Sequence, residues 1–119
     1  MAKMTTCEDV GAGGFRVVTL RGEIDAFTAP TLRLEFERLI EESAAVSTFV
    51  IDLEGVTFLD SSALGALVGA LRLVRAKGAA LRVVEPHGAA KRIFAQTGLD
   101  AVLALYPTRE LALSREATG

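Results

Sequence analysis

The stretch Val50-Ile51-Asp52-Leu53-Glu54-Gly55-Val56-Thr57-Phe58-Leu59-Asp60-Ser61-Ser62-Ala63-Leu64-Gly65 decides how this chain is read. It opens as a β-branched, apolar run, the composition of a strand, and closes on the first residues of a helical repeat. Asp60, Ser61 and Ser62 stand at the change-over. Such a junction presents backbone N–H groups that lack helical partners, together with the positive end of a helix dipole. A serine there serves as a cap or as a residue that tolerates a phosphate. The two roles are compatible, because Ser62 or Asp60 can cap while Ser61 stays exposed; Ser62 is the expected cap and Ser61 the expected acceptor.

Downstream of the junction, Leu64, Leu67, Val68, Leu71 and Val74 recur at helical spacing and predict an inward stripe. Arg72, Arg75 and Lys77 gather at the far end and read as a solvated helix terminus facing the negative end of the dipole. Gly78 supplies a stop. A second face carries Ser62, Gly65, Ala66 and Gly69 at positions i, i+3, i+4 and i+7. All four are small, so another backbone can approach closely. That backbone is either a neighbouring helix of the same domain or a partner protein docking beside Ser61.

Upstream, residues 48–53 form a compact apolar run that reads as a central strand buried on both faces. Residues 4–8 and 15–20 predict a hairpin around the Gly11–Gly14 turn. Gly22-Glu23-Ile24-Asp25 is expected to break the second strand. Thr28 then caps a helix with Pro30 in its first turn, ending near residues 42–44. After Gly78, residues 81–84 predict a strand and residues 87–97 a helix with Ile93 and Phe94 inward. Gly98 ends that helix, with Leu99 packing back near Phe94. Residues 102–106 predict the last strand, and Thr108 caps a final helix of about two turns.

An initial hairpin followed by strand–helix alternation predicts an α/β fold. Its mixed, mostly parallel sheet has about five strands, with about four helices. Partner and ligand surfaces of such folds gather at the carboxyl ends of the strands, and Asp25 and Asp60 both fall on that rim.

The composition narrows the function. One domain spanning residues 1–119 is expected, with a core over about 4–113 and a polar tail at 114–119. Half of the 119 residues are hydrophobic, 24% are charged and the net charge is −2, a balance suited to a packed core. It offers no basic footprint for nucleic acid. The single cysteine, Cys7, excludes an internal disulfide and a multi-cysteine metal site, and reads as an ordinary thiol. No apolar run approaches the roughly 20 residues of a membrane span, and the N-terminus lacks the apolar core of a signal peptide. A cytoplasmic protein without a membrane association is therefore expected.

Enzymatic readings fare poorly. His87, the only histidine, has no positioned partner in sequence and reads as a surface residue. Ser61 lacks a Gly-x-Ser-x-Gly elbow, and no phosphate-binding Gly-x-x-x-x-Gly-Lys loop is present. A receiver-like aspartyl phosphate would need an acidic Mg²⁺ cluster at strand ends. The relevant strands instead end in Arg21-Gly22-Glu23 and Tyr106-Pro107. No enzyme activity, cofactor or metal is expected.

Three segments together resemble a known family. They are Gly22-Glu23-Ile24-Asp25 with Thr28-Ala29-Pro30, Ile51-Asp52-Leu53 leading through Phe58-Leu59 into Asp60-Ser61-Ser62-Ala63-Leu64-Gly65, and Gly98-Leu99. Over about residues 4–113 the chain is similar to STAS domains, specifically the single-domain bacterial anti-sigma factor antagonists. Ala63 stands where many members have glycine, which stiffens the helix start slightly. The resemblance implies a partner-switching regulator of transcription. The unphosphorylated form would bind an anti-sigma factor that is also a serine kinase and release the sigma factor. Phosphorylation on Ser61 would switch binding off, and a PP2C-type phosphatase would reverse it. Asp25, Asp60, Ser61, Ser62, Gly65, Ala66 and Gly69 are then the expected partner-binding positions. An alternative use of the same fold is a scaffold subunit of a signalling assembly or of an ABC lipid-transport complex.

Overall fold

The computed structural model describes residues 3–10 as backbone, and residues 14–42 and 45–114 with their side chains. The Cys7 thiol, residues 11–13 of the expected turn, residues 43–44 near the expected helix end and residues 115–119 of the expected tail lie outside the described residues. The chain runs β1 (Lys3–Val10), β2 (Phe15–Ile24), α1 (Ala29–Glu42), β3 (Thr48–Leu59), α2 (Ser61–Ala76), β4 (Ala80–Val84), α3 (Gly88–Thr97), β5 (Ala104–Tyr106) and α4 (Arg109–Ala112).

One sheet takes the order β1-β2-β3-β4-β5. Four strands, β2 to β5, are parallel, and β1 pairs antiparallel with β2 at the edge. Successive parallel strands that are also neighbours place every right-handed crossover on the same side. Helices α1, α2 and α3 accordingly cover one face, where Phe36, Leu67 and Phe94 pack onto Val18, Ile51 and Val83. The opposite face carries a smaller cluster in which Ala112 of α4 meets Phe15, Val17, Val50 and Val84. Strand β3 is thus covered from both sides, and its residues from Thr48 to Leu53 are all buried.

Two arginines fasten the single-turn α4 to its face. Arg109 Nε lies 2.9 Å from Asp52 Oδ2, and its Nη2 donates to Thr19 Oγ1 at 2.6 Å. Asp52 Oδ1 accepts the Glu54 N–H at 2.9 Å, so both oxygens of this buried carboxylate are engaged. Arg82 of β4 sits between the rings of Phe15 and Tyr106, 5.4 and 5.7 Å from their centroids. Its Nη1 donates to the carbonyls of Ala112 and Ser114 at 2.8 and 2.9 Å. A guanidinium is thereby placed at the negative end of α4, where the last carbonyls lack helical partners.

Several elements differ from the sequence reading. The Gly22–Asp25 segment bends β2 without breaking it. Gly22 takes a φ of +88°, which glycine adopts without a Cβ penalty, and pairing resumes after a register shift to reach Ile24↔Leu59. Strand β3 likewise continues past residue 53 to Leu59. Gly55 makes this possible, because a Cβ there would stand 2.9 Å from Arg21 Cγ and 3.2 Å from the Leu20 carbonyl oxygen. The last strand is shorter than expected, since Gly98 (φ +76°) leads into a 3₁₀ turn at Leu99–Ala101. Leu99 and Phe94 do share the main core. Helix α4 has four residues, one turn rather than two. Lys77 is not merely solvated: its ammonium donates to the Ile40 and Glu41 carbonyls and closes the end of α1.

Candidate partner-docking rim

The carboxyl ends of β2 and β3 finish level with each other, and the Asp60 N–H donates to the Ile24 carbonyl at 3.2 Å. This bond ties together the turn that follows each strand. Asp25 and Asp60 therefore share one rim.

Each aspartate organises its own turn. Asp25 Oδ1 accepts the N–H groups of Phe27 and Thr28 at 2.9 and 3.1 Å. The Thr28 backbone bond, more than the bonds from Phe27 and the Thr28 hydroxyl, holds the Asp25 carboxyl below its ordinary range. Thr28 Oγ1 in turn accepts the Asp25 N–H at 2.9 Å. The Thr28 side chain therefore closes the turn and does not cap α1 as expected. This reciprocal pair leaves Phe27 91% exposed at the tip. Phe58, 45% exposed, precedes the neighbouring turn by two residues.

At the second turn the cap is Asp60, not Ser62. Asp60 is extended (φ −121°, ψ −171°), and its Oδ1 accepts from Ser62 N at 2.8 Å and Ala63 N at 3.3 Å. The shorter serine hydroxyl is not needed there, so both serines stay out of the cap. Ser61 is the first residue of α2 and is exposed, whereas Ser62 is half-buried. No hydrogen bond engages the Ser61 hydroxyl among the described residues.

The small-residue face of α2 is not a flat open surface. Helix α1 packs alongside it, and Ala66 is only 2% exposed. Ala66 is therefore corrected from a partner contact to part of the helix–helix seam. Gly65 and Gly69 remain half-exposed in a shallow groove of about 490 Å³ that Arg33, Glu37 and Arg72 also line. Arg33 lies over Gly65, with its Nη2 2.9 Å from where a Cβ would stand.

Among the described residues, no cluster of three or more His, Cys, Asp or Glu could hold a metal, and no helix is long and apolar enough to cross a membrane. His87 stands before α3, 69% exposed, 3.5 Å from Glu54 Oε2. Sequence reasoning missed the exposed Phe27 and the Asp52–Arg109 pair. An aromatic between Asp25 and Thr28 signalled the first. An acid inside the apolar 48–53 run signalled the second, but its partner stands 57 residues away.

The fold recurs in known proteins. The chain is 34% identical over 86 residues to the anti-sigma-B factor antagonist of Bacillus subtilis (strain 168), covering 72% of this chain and 76% of that protein. The crystal structure of an anti-sigma factor antagonist from Mycobacterium paratuberculosis superposes with a TM-score of 0.81 at 34% identity, over 95% of this chain and 92% of that one. The Bacillus cell fate determinant SpoIIAA in its phosphorylated form superposes with a TM-score of 0.67 at 26% identity, over 94% and 98%. Residues 7–112 match the STAS domain, and the chain belongs to the STAS domain family.

Proposed function

We propose that this protein is a cytoplasmic anti-sigma factor antagonist, switched by phosphorylation on Ser61. The observation that carries the proposal is the division of labour at the β3–α2 junction. Asp60 performs the capping, which leaves the adjacent Ser61 hydroxyl exposed and uncommitted. A kinase can take that hydroxyl without the fold losing a bond. The similarity to anti-sigma factor antagonists, one of them solved in a phosphorylated form, supports the same reading.

In the unmodified state the rim offers Asp25, Asp60, Ser61 and the exposed rings of Phe27 and Phe58 to an anti-sigma factor. Exposed aromatics on a preformed turn anchor an interface at low entropic cost. The anti-sigma factor is also the kinase: the γ-phosphoryl group of ATP moves to Ser61 Oγ, the hydroxyl proton leaves and ADP is released. The product carries about −1.5 to −2 added charges at the rim. Beside Asp25 and Asp60, that charge must be desolvated for docking to occur, so affinity falls. A PP2C-type phosphatase restores the binding form. The chain itself supplies no catalysis and needs no cofactor.

The test is incubation of the full chain with its cognate anti-sigma factor and ATP, followed by mass mapping. Modification is expected at Ser61, Ser61→Ala binds but is not modified, and Ser61→Asp binds more weakly. Modification confined to other residues would sink the Ser61 assignment. Co-purification of transport components in place of a kinase would support the scaffold reading instead.

A further inference from the structure

We propose that Arg33 is the receptor for a phosphoryl group on Ser61. The inference rests on the reading of Ser61 as the modified residue. Helices α1 and α2 follow neighbouring parallel strands and start at the same rim, so they lie side by side in the same sense. Arg33 and Gly65 are each the fifth residue of their helix. The guanidinium rests on Gly65, Nη2 being 2.9 Å from the site of a missing Cβ. Ser61 is four residues earlier on the same face of α2, which places its Cβ about 5–6 Å from that point. A phosphoserine side chain and an arginine fork close such a gap from opposite ends. Long side chains on a helix also lean toward its N-terminus, which aims Arg33 at the first turn of α2.

Two observations direct the phosphate to Arg33 rather than to the helix backbone. The N–H groups of Ser62 and Ala63, which ordinarily receive an anion at a helix start, are already bound by the Asp60 carboxylate. That carboxylate also repels a phosphate. Arg33, in contrast, makes no hydrogen bond or ion pair among the described residues, although Glu37 lines the same groove. The charged groups facing the site are therefore Arg33 and Glu37 from α1, Asp60 from the cap, Asp25 from the adjacent turn and Arg72 further along α2. Of these, Arg33 alone combines a positive charge, an open fork and a position one turn from Ser61. A charge-assisted pair of this type would hold the phosphate along the mouth of the α1–α2 groove.

The test installs phosphoserine at position 61 of the full chain by codon suppression and follows its ³¹P resonance against pH. An opposing guanidinium favours the dianion, so it lowers the second ionisation of the phosphate. Arg33→Gln should raise that ionisation by about half a pH unit or more relative to the parent. Arg33→Lys should restore part of the shift. Arg72→Gln removes an equal charge further down the groove and should leave the curve in place. Superimposable curves for the parent and Arg33→Gln overturn the proposal. So does an equal rise in Arg72→Gln, which would reduce the effect to net charge. Kinase mapping is a separate readout: phosphorylation elsewhere would remove the functional reading while the ³¹P result stood by itself.

Discussion

Arg109→Met tests what holds the second face of the sheet. In the native chain the Asp52 side chain is 6% exposed and that of Arg109 is 35% exposed, with 2.9 Å between Nε and Oδ2. Removing the guanidinium strands a buried carboxylate that keeps the Glu54 N–H as a donor. Breaking a buried pair from one side costs about 3–5 kcal/mol. A third of Arg109 is already wet, so water can enter the gap, and the cost is discounted to about 2–3 kcal/mol. For a chain of this size that loss lowers the thermal midpoint by roughly 6–15 °C. Urea unfolding followed by circular dichroism should show a lower midpoint with its slope kept. The double variant Asp52→Val/Arg109→Met removes both charges and should recover most of the loss, since an apolar pair of similar size often matches a buried ion pair. A cost below about 0.5 kcal/mol for Arg109→Met would place the pair among ordinary surface bridges and refute the reasoning. A double variant as unstable as the single one would show that the arginine stem, not the stranded charge, carries the effect.

Further outcomes follow from the rim and the glycines. Asp60→Ala should destabilise the fold by about 1 kcal/mol through loss of the α2 cap, while Asp60→Asn keeps most of it; equal urea midpoints for the two variants would contradict the cap geometry. Gly55→Ala and Gly65→Ala should move stability in opposite directions. At Gly55 the new Cβ meets the Leu20 carbonyl and the root of Arg21, which cannot retreat, at a cost of about 1–3 kcal/mol. At Gly65 it meets only the mobile tip of Arg33, so the helix gains up to about 1 kcal/mol from propensity; thermal melts of both variants decide this. The Asp25 carboxyl should titrate below its ordinary value of 3.8. Its stabilising contribution is therefore complete above that value and is lost as pH falls through the lower, folded value. A carboxyl ¹³C NMR titration reports it directly, and a midpoint at or above the ordinary value would contradict the turn geometry.

What could be read from the sequence was what local chemistry dictates. The apolar 48–53 run reads as a doubly covered strand because nothing polar interrupts it except Asp52. The leucine spacing of α2 and the glycine after α3 are equally local signals. The failures at Gly55, at Lys77 and on the α2 stripe involve a partner distant in sequence, whereas those at Thr28, at the α2 cap and before the last strand are choices among neighbours. The strand read over residues 48–53 stops short of Leu59 because spacing cannot show that Arg21 of the neighbouring strand occupies the space of a Gly55 side chain. Lys77 reads as a solvated charge until the end of α1 is placed beneath it. The stripe Ser62, Gly65, Ala66 and Gly69 was legible as a close-approach surface, but spacing cannot say what approaches, and helix α1 does. From sequence the cap falls to Ser62, and the structure gives it to Asp60. Three adjacent residues could all have served, and only the extended backbone of Asp60 selects it.

That selection bears on how a switch at this rim would work. Had Ser61 or Ser62 supplied the cap, adding a phosphate would have altered the helix start and coupled modification to stability. With Asp60 as the cap, the bonds to Ser62 and Ala63 do not involve the Ser61 hydroxyl. The sheet beneath is equally indifferent, because the Ile24↔Leu59 pairing and the Asp60–Ile24 bond fix the two turns to each other through backbone alone. A charge on Ser61 can therefore change what docks without moving what it stands on. The expected signature is a loss of partner affinity with a urea midpoint that does not fall, and amide shifts confined to the first turn of α2 and its neighbours in α1. A phosphorylated chain whose sheet resonances moved throughout would mean that the rim transmits the modification into the fold, and that the division between cap and acceptor does not insulate it.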